Sequence, residues 1–417
     1  MKDFSYPVVV VGGGPAGMAA AISAKENGAE KVLVIERENR LGGILKQCIH
    51  AGFGLQYFGE ELSGPEYAER FAVKAKEAGI EFMLDTTALE IREQTLVCVN
   101  TTGVLHINFG ALVLAMGCRE RTRANLVIPG SRAAGIYSAG TAQKLINIYG
   151  HKVGKEVVIL GSGDIGMIMA RRLTLGGAKV KAVVEIMPYL AGLARNKAQC
   201  LDDFDIPLLL SHTVVDITGV DRVESVTIAP VDENRKPIME KAEVIDCDTI
   251  LLSVGLIPEN ELTRSADVTL SGITKGAVVN QYKQTDKPYI FACGNVLHVN
   301  DLVDHVSHES EDAGKYAAMY AAGKLPTVDQ IEVAPGEGVR YVCPQKASPA
   351  DMPIDLYFRT AAPGRNTTLT VSDDNGVLIT KKLLVTTPGT IEKMTIPADK
   401  AKNISGKIVV TAVHKEA

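Results

Sequence analysis

Apolar residues fall along the chain in two rhythms. Short unbroken runs, Val8 to Val11 and Val157 to Leu160, are each followed by a glycine loop. Each loop leads into apolar positions at helical spacing, Met18 to Lys25 after the first and Met167, Ala170 and Leu173 after the second. A run of that length predicts a strand covered on both faces, and the succession of strand, loop, helix and strand predicts a parallel, doubly wound unit. It occurs twice, from Pro7 to Glu36 and from Glu156 to Glu185. Further strand-like runs at Ala111 to Ala115, Thr249 to Val254 and Tyr289 to Ala292 also lead into glycine, and a helix is predicted over Asp304 to Ala322.

Past Leu325 the rhythm changes. Pro326, Pro335, Gly336 and Gly338 read as a linker. The runs Arg340 to Cys343, Ile354 to Arg359, Thr367 to Val371, Val377 to Val385, Ile391 to Ile396 and Lys407 to Val413 then predict strands, and Asp373-Asp374-Asn375-Gly376 predicts a hairpin turn. The predicted architecture is α/β: two Rossmann-like dinucleotide-binding domains and a small C-terminal all-β domain, sandwich-like and read as a packing or docking module.

Composition narrows the function. With 417 residues, 46% of them apolar, and 39 glycines, the chain reads as globular and multidomain. A net charge of -5 with interspersed signs makes nucleic acid and anionic membrane surfaces poor partners and favours small molecules. Seven cysteines with no Cys-x-x-Cys spacing signal neither a disulfide framework nor a metal or iron–sulfur site, and the cytoplasm is the expected location. The apolar run near the N-terminus is too short for a signal peptide or a membrane span.

The chemistry sits in the loops. Gly12, Gly14 and Gly17 stand where a tight turn, a close approach of pyrophosphate and a close helix–strand contact are needed, with Pro15 and Ala16 opening the helix. Glu36, followed by Arg37, ends the next strand nineteen residues after Gly17, where a carboxylate accepts ribose hydroxyls. The second loop, Gly161-Ser162-Gly163-Asp164-Ile165-Gly166, is followed at the same spacing by Glu185. An acid there accepts the 2′-hydroxyl of NAD and repels the 2′-phosphate of NADP, so NAD is expected over NADP. The first loop by itself leaves NAD and FAD open.

The segments that follow carry a resemblance. Arg40-Leu41-Gly42-Gly43, the Ala115-Met116-Gly117 turn, and Thr285 with Tyr289-Ile290-Phe291-Ala292-Cys293-Gly294-Asn295 resemble the flavin motifs of two-dinucleotide-binding-domain flavoproteins, the group that includes glutathione and thioredoxin reductases. The resemblance implies FAD on the first loop and a discontinuous FAD domain, 1–121 with 256–328, around an NAD domain, 122–255, with the β domain at 335–417. Asn295 stands where the family has Asp and keeps a hydrogen-bonding group for the ribityl chain. Ser307 and His308 lie where thioredoxin-reductase-like proteins place flavin contacts. Asp301, Asp304, His305 and Glu309 near them read either as a solvated helix start or as catalytic groups.

Disulfide reductases of the group carry two cysteines shortly after the glycine pair, and those positions here are Leu45 and His50. The run Gly42 to Gly54, the Cys118-Arg119-Glu120-Arg121 turn, Ile128-Pro129-Gly130 and Ala139 to Gln143 resemble a disulfide-lacking subgroup. It includes the flavin subunits of opine oxidases and hydrogen cyanide synthase, and FAD-dependent oxidoreductases associated with glycerol-3-phosphate dehydrogenases. Cys48 reads either as a thiolate beside flavin or as a small buried hydrophobe. His50 reads as a proton donor or acceptor, or as packing. The arginines at 119, 121 and 123 read as braces of the crossing or as an attractor of anionic substrate. The implied function is hydride transfer between NAD(H) and FAD, with electrons exchanged through a partner subunit, such as a glycerol-3-phosphate dehydrogenase, or a small acceptor. A flavin subunit oxidising an amine or opine directly, and a non-catalytic nucleotide-binding scaffold, stand as alternatives. Self-association into a homo-oligomer is left open.

Overall fold

A computed structural model describes residues 2–327 and 329–414; the expected domain ends at 1, 328 and 417 lie outside them. Contacts divide the chain into two units, Met1–Cys118 with Pro258–Ala417, and Arg119–Ile257.

The first unit begins with β1 (Lys2–Val11), α1 (Pro15–Glu26), β2 (Val32–Ile35), α2 (Gly64–Glu77), β3 (Glu81–Met83), β4 (Thr87–Arg92), β5 (Thr95–Asn100) and β6 (Gly103–Leu114). They form a sheet of order β3-β2-β1-β6-β5-β4. The Val8–Val11 segment of β1 pairs in parallel with β2 on one side and with β6 on the other, which explains its unbroken apolar run. Sequence periodicity did not show that β6 also turns back antiparallel on β5.

In the second unit, β7 (Ile136–Ser138), α3 (Ala139–Asn147), β8 (Glu156–Leu160), α4 (Asp164–Leu175), β9 (Lys179–Glu185), β10 (Leu208–Leu210) and β11 (Thr249–Leu252) build a parallel sheet of order β7-β11-β8-β9-β10. A three-stranded antiparallel sheet, His212–Thr218, Ser225–Pro230 and Glu243–Asp246, packs on it through Val214, Ile217, Val226 and Ile228. Arg123 braces a turn within this unit, donating to the carbonyls of Ile128 (3.0 Å) and Gly130 (2.8 Å).

Back in the first unit, β12 (Ile290–Ala292) adds in parallel to the end of β6. It is followed by α5 (Val303–Ala321), which packs against α1. The C-terminal portion is all-β. Its strands are β13 (Ile331–Pro335), β14 (Val339–Cys343), β15 (Lys346–Ala347), β16 (Ile354–Thr360), β17 (Gly364–Asp373), β18 (Gly376–Thr386), β19 (Glu392–Ile396) and β20 (Ile408–His414). A five-stranded sheet, β15-β13-β20-β17-β18, and a three-stranded sheet, β14-β16-β19, share a core containing Val333, Leu356, Phe358, Leu369, Val371, Ile396 and Val410. The stretch read as a linker is in part strand. Ile331–Pro335 pairs in parallel with β20, and β15 pairs only with Ile331 and Glu332, so Pro335, which lacks an N–H, stands where one side of the strand is an open edge. The hairpin turn forms as expected, with Gly376 at a φ of 124° and Asn375 N–H bonded to the Asp373 carboxylate at 2.9 Å.

Candidate functional site: two glycine loops

The end of β1 delivers the chain into Gly12 at a φ of 111°, backbone that a side chain would strain, and with Ala115 packed against the place a Cβ would occupy. The helix that follows starts at Pro15 with no side-chain cap and no acid in its first turn. Its first amides therefore lack the partners a helix start requires, which suits an anion. Glu36, 7% exposed, accepts the Gly13 N–H at 2.7 Å with one oxygen and the Glu38 N–H at 2.8 Å with the other. Arg37 beside it is exposed. Gly42 donates to the Gly13 carbonyl at 2.8 Å, and Gly43 lies against Gly14, so the second glycine pair is laid across the first loop. Ala115 is buried, Gly117 turns the chain at a φ of 73°, and Gly294, at a φ of 69°, packs against Ala16 in the first turn of α1. An uncapped helix start, a carboxylate at the ribose position and converging glycine turns fit FAD.

The segment after Gly43 is firmly held. Leu45 is buried in the cluster of Met18, Tyr67 and Phe71, so the place of the first dithiol cysteine is core. Burial pushes the Cys48 thiol up to about 12. That shift favours the buried-hydrophobe reading of Cys48 over the thiolate one. His50 places Nδ1 3.0 Å from the Ala51 carbonyl and its ring 5.0 Å from that of Phe53. Asp304, 4% exposed, accepts the N–H groups of Gly54 (3.1 Å) and Gln56 (2.8 Å). Ser307 is buried and bonded to the Tyr67 hydroxyl at 2.7 Å, and His308 faces outward, 3.4 Å from Glu311. The expected pair of flavin contacts thus points two ways, because neighbouring helix positions lie about 100° apart. Nor is the helix start solvated, since Asp304 and Glu309 are both buried. Burial lowers the pKa of His305, whose Nδ1 has no hydrogen-bond partner.

The second loop repeats the first. Gly161 has a φ of 104° with Ser253 packed where Ala115 packs on Gly12, and Gly166 approaches the Gly161 carbonyl closely. Glu185, 4% exposed, accepts from Ser162 N–H (2.9 Å) and from Met187 N–H (2.9 Å), the counterparts of Gly13 and Glu38. A Cβ on Gly163 would meet only Ser253, at ordinary van der Waals distance, and Ile165 is part-buried. The difference is Asp164, in the first turn of α4, whose carboxylate accepts Leu193 N–H (2.8 Å) and the Asn196 amide (2.7 Å). Residues 119–123 enter this unit, and Glu120 accepts the Gly140 N–H at the start of α3.

The profile of the pyridine nucleotide-disulphide oxidoreductases matches residues 6–323. The chain belongs to that family. FAD and NAD(P) are the family's cofactors and oxidoreduction is its chemistry. Family relatives include the HcnB subunit of hydrogen cyanide synthase from Pseudomonas protegens, 30% identical over 69% of this chain and 65% of the relative. An opine oxidase subunit of Agrobacterium tumefaciens is 26% identical over 79% of this chain and 67% of the relative. The chain thus spans less than two thirds of the length of the hydrogen cyanide synthase subunit. The fold is that of a thioredoxin reductase, the T. acidophilum structure aligning with a TM-score of 0.61 at 21% identity over 75% of this chain and 98% of that one. Among the described residues no helix is long and apolar enough to cross a membrane.

Sequence reasoning missed one cluster of the first unit. Lys283, His298 and Glu309 are each about 1% exposed, with Lys283 Nζ 3.2 Å and His298 Nε2 2.9 Å from the same oxygen of Glu309. Burial alone would raise the Glu309 carboxyl, but His298 and Lys283 hold it down at about 2. Cys343 lies with His298 and Glu309 inside 4.8 Å, a spacing a metal ion could use, yet the Lys283 ammonium already supplies the cation. The only sequence signal was a carboxylate on the buried face of α5.

Proposed function

We propose that this chain transfers hydride between NAD(H) and FAD and exchanges electrons onward through a partner subunit or small acceptor, without an active-site disulfide. The observation that carries this reading is the segment laid over the first loop, where Leu45, at the place of the first dithiol cysteine, is core, and burial raises the nearby Cys48 thiol. Bound at the two loops, FAD supplies a two-electron acceptor and NAD(H) a hydride. The start of α1 and Gly12, Gly14 and Gly17 hold the pyrophosphate of FAD, and Glu36 takes ribose hydroxyls. Gly161, Gly163, Gly166 and Glu185 do the same for NAD, and no arginine adjoins Glu185 in sequence to welcome the 2′-phosphate of NADP. The Nδ1 contact to Ala51 favours the His50 tautomer with its proton on Nδ1.

The partner we favour is a second flavoprotein, with a glycerol-3-phosphate dehydrogenase as candidate. The subunit names of the hydrogen cyanide synthase and opine oxidase relatives support an assembly of this kind. Seven cysteines, all thiols, favour a reducing compartment, the cytoplasm. Direct oxidation of an amino acid derivative is the competing reading, favoured by the likeness to the opine oxidase relative. Anaerobic stopped-flow mixing separates them. Rapid bleaching of the flavin by NADH is expected, and bleaching by an opine but not by NADH would sink the proposal.

A further inference from the structure

The C-terminal β domain has no assigned role, yet it closes over the distal flavin turn. Glu309 uses one oxygen for Lys283 and His298 and the other to accept the Gly294 N–H at 3.2 Å. Gly294 in turn packs on Ala16, at the uncapped start of α1. The outer wall of this cluster comes from the β domain. The Tyr341 hydroxyl lies 3.4 Å from His298 Nδ1, and Lys283 Nζ sits 5.0 Å from the centre of the Tyr357 ring. The loop after Gly294 is held from the same side. Arg359 donates to the Val299 carbonyl at 3.0 Å, and Ile391 N–H donates to Asp301 at 3.1 Å. Asn295 is fixed from within that loop, accepting the Asn300 N–H at 2.9 Å.

We propose that Glu309 is a positioning residue for the flavin and that the β domain, through Tyr341, Tyr357 and Arg359, is a structural part of the flavin site. This rests on the reading that FAD occupies the first glycine loop. A carboxylate bond to a backbone amide is charge-assisted, and in a dry site it stays strong and directional. Lys283 and His298 keep Glu309 ionised, and the tyrosines keep water from the ion pair. Gly294 and Asn295 are thereby held at the α1 start before the cofactor arrives, so FAD binding need not order them. Admitting water on the β-domain side should loosen the turn with no contact to the nucleotide changed.

The test uses the full chain, stripped of FAD and retitrated while flavin fluorescence is followed, with melting of each apo-protein as a folding control. Glu309→Leu with Lys283→Met removes both charges and the acceptor for Gly294, and is expected to raise the FAD dissociation constant about tenfold or more. Glu309→Gln with Lys283→Met restores an accepting oxygen and should recover most of that loss. Tyr341→Phe, which deletes one oxygen and keeps the ring, should weaken FAD by about threefold and shift the flavin absorbance bands. If wild-type chain binds FAD and all three variants bind it within about twofold of wild type, the proposal is overturned. A wild-type chain that takes up no FAD overturns the underlying reading as well.

Discussion

The first turn of α1 carries neither an acid nor a side-chain cap, whereas that of α4 carries Asp164, tied to Leu193 and Asn196. In other respects the loops are close copies, down to the two backbone amides each acid accepts. A carboxylate at a helix start competes with a bound anion for the same positive end, by about 0.3–1 kcal/mol. On the proposed reading the open start suits a resident cofactor and the acidic one a nucleotide that must leave. The first loop is also braced by Glu309 through Gly294.

The largest effects should separate the loops outright. Gly12→Val strains a φ of 111° and drives a side chain into Ala115, and the purified protein should hold less than about a tenth of the wild-type FAD. Gly161→Val should leave the protein yellow but unbleached by NADH. If both variants lose FAD equally, the loops are not independent sites. Glu309→Leu strands the Lys283 ammonium and should destabilise the first unit by about 3–5 kcal/mol in urea unfolding. The pH dependence has a defined sign. Glu309 is held at about 2 against an ordinary 4.5, so its contribution is full above about 4.5 and lost as pH falls toward 2. In Glu309→Gln with Lys283→Met that acid limb should flatten.

Smaller changes sharpen the contrast. Glu185→Gln should raise the KM for NADH about tenfold and narrow the preference over NADPH, read from steady-state rates. Asp164→Asn keeps the oxygen that accepts Leu193 and removes the charge, so equilibrium titration should show NADH binding about three- to fivefold tighter. Cys48→Ser should change the rate of flavin reduction by less than about twofold, and with the thiol at about 12 the wild-type rate should show no Cys48 limb between pH 6 and 9.

Both glycine loops and their acids were legible because turn, helix start and strand end are written within about thirty residues. The β strands of the C-terminal domain were legible for the same reason, as alternation is local. What failed to show depends on tertiary encounters. Lys283 and Glu309 meet across the core, and nothing near either residue reports the other. Ser307 and His308 looked equivalent by spacing, but the helix turns one under Tyr67 and the other outward. Pro335 and Gly336 looked like a linker because strand pairing with β20, where Pro335 meets Val410, leaves no local mark.

The most direct test is an anaerobic titration of the FAD-loaded chain with NADH, counting equivalents to full bleaching. One NADH per flavin, two electrons with no change in thiol content, is the predicted result. Two NADH per flavin with two new thiols, or no bleaching at all, would contradict a disulfide-independent transfer between NAD(H) and FAD.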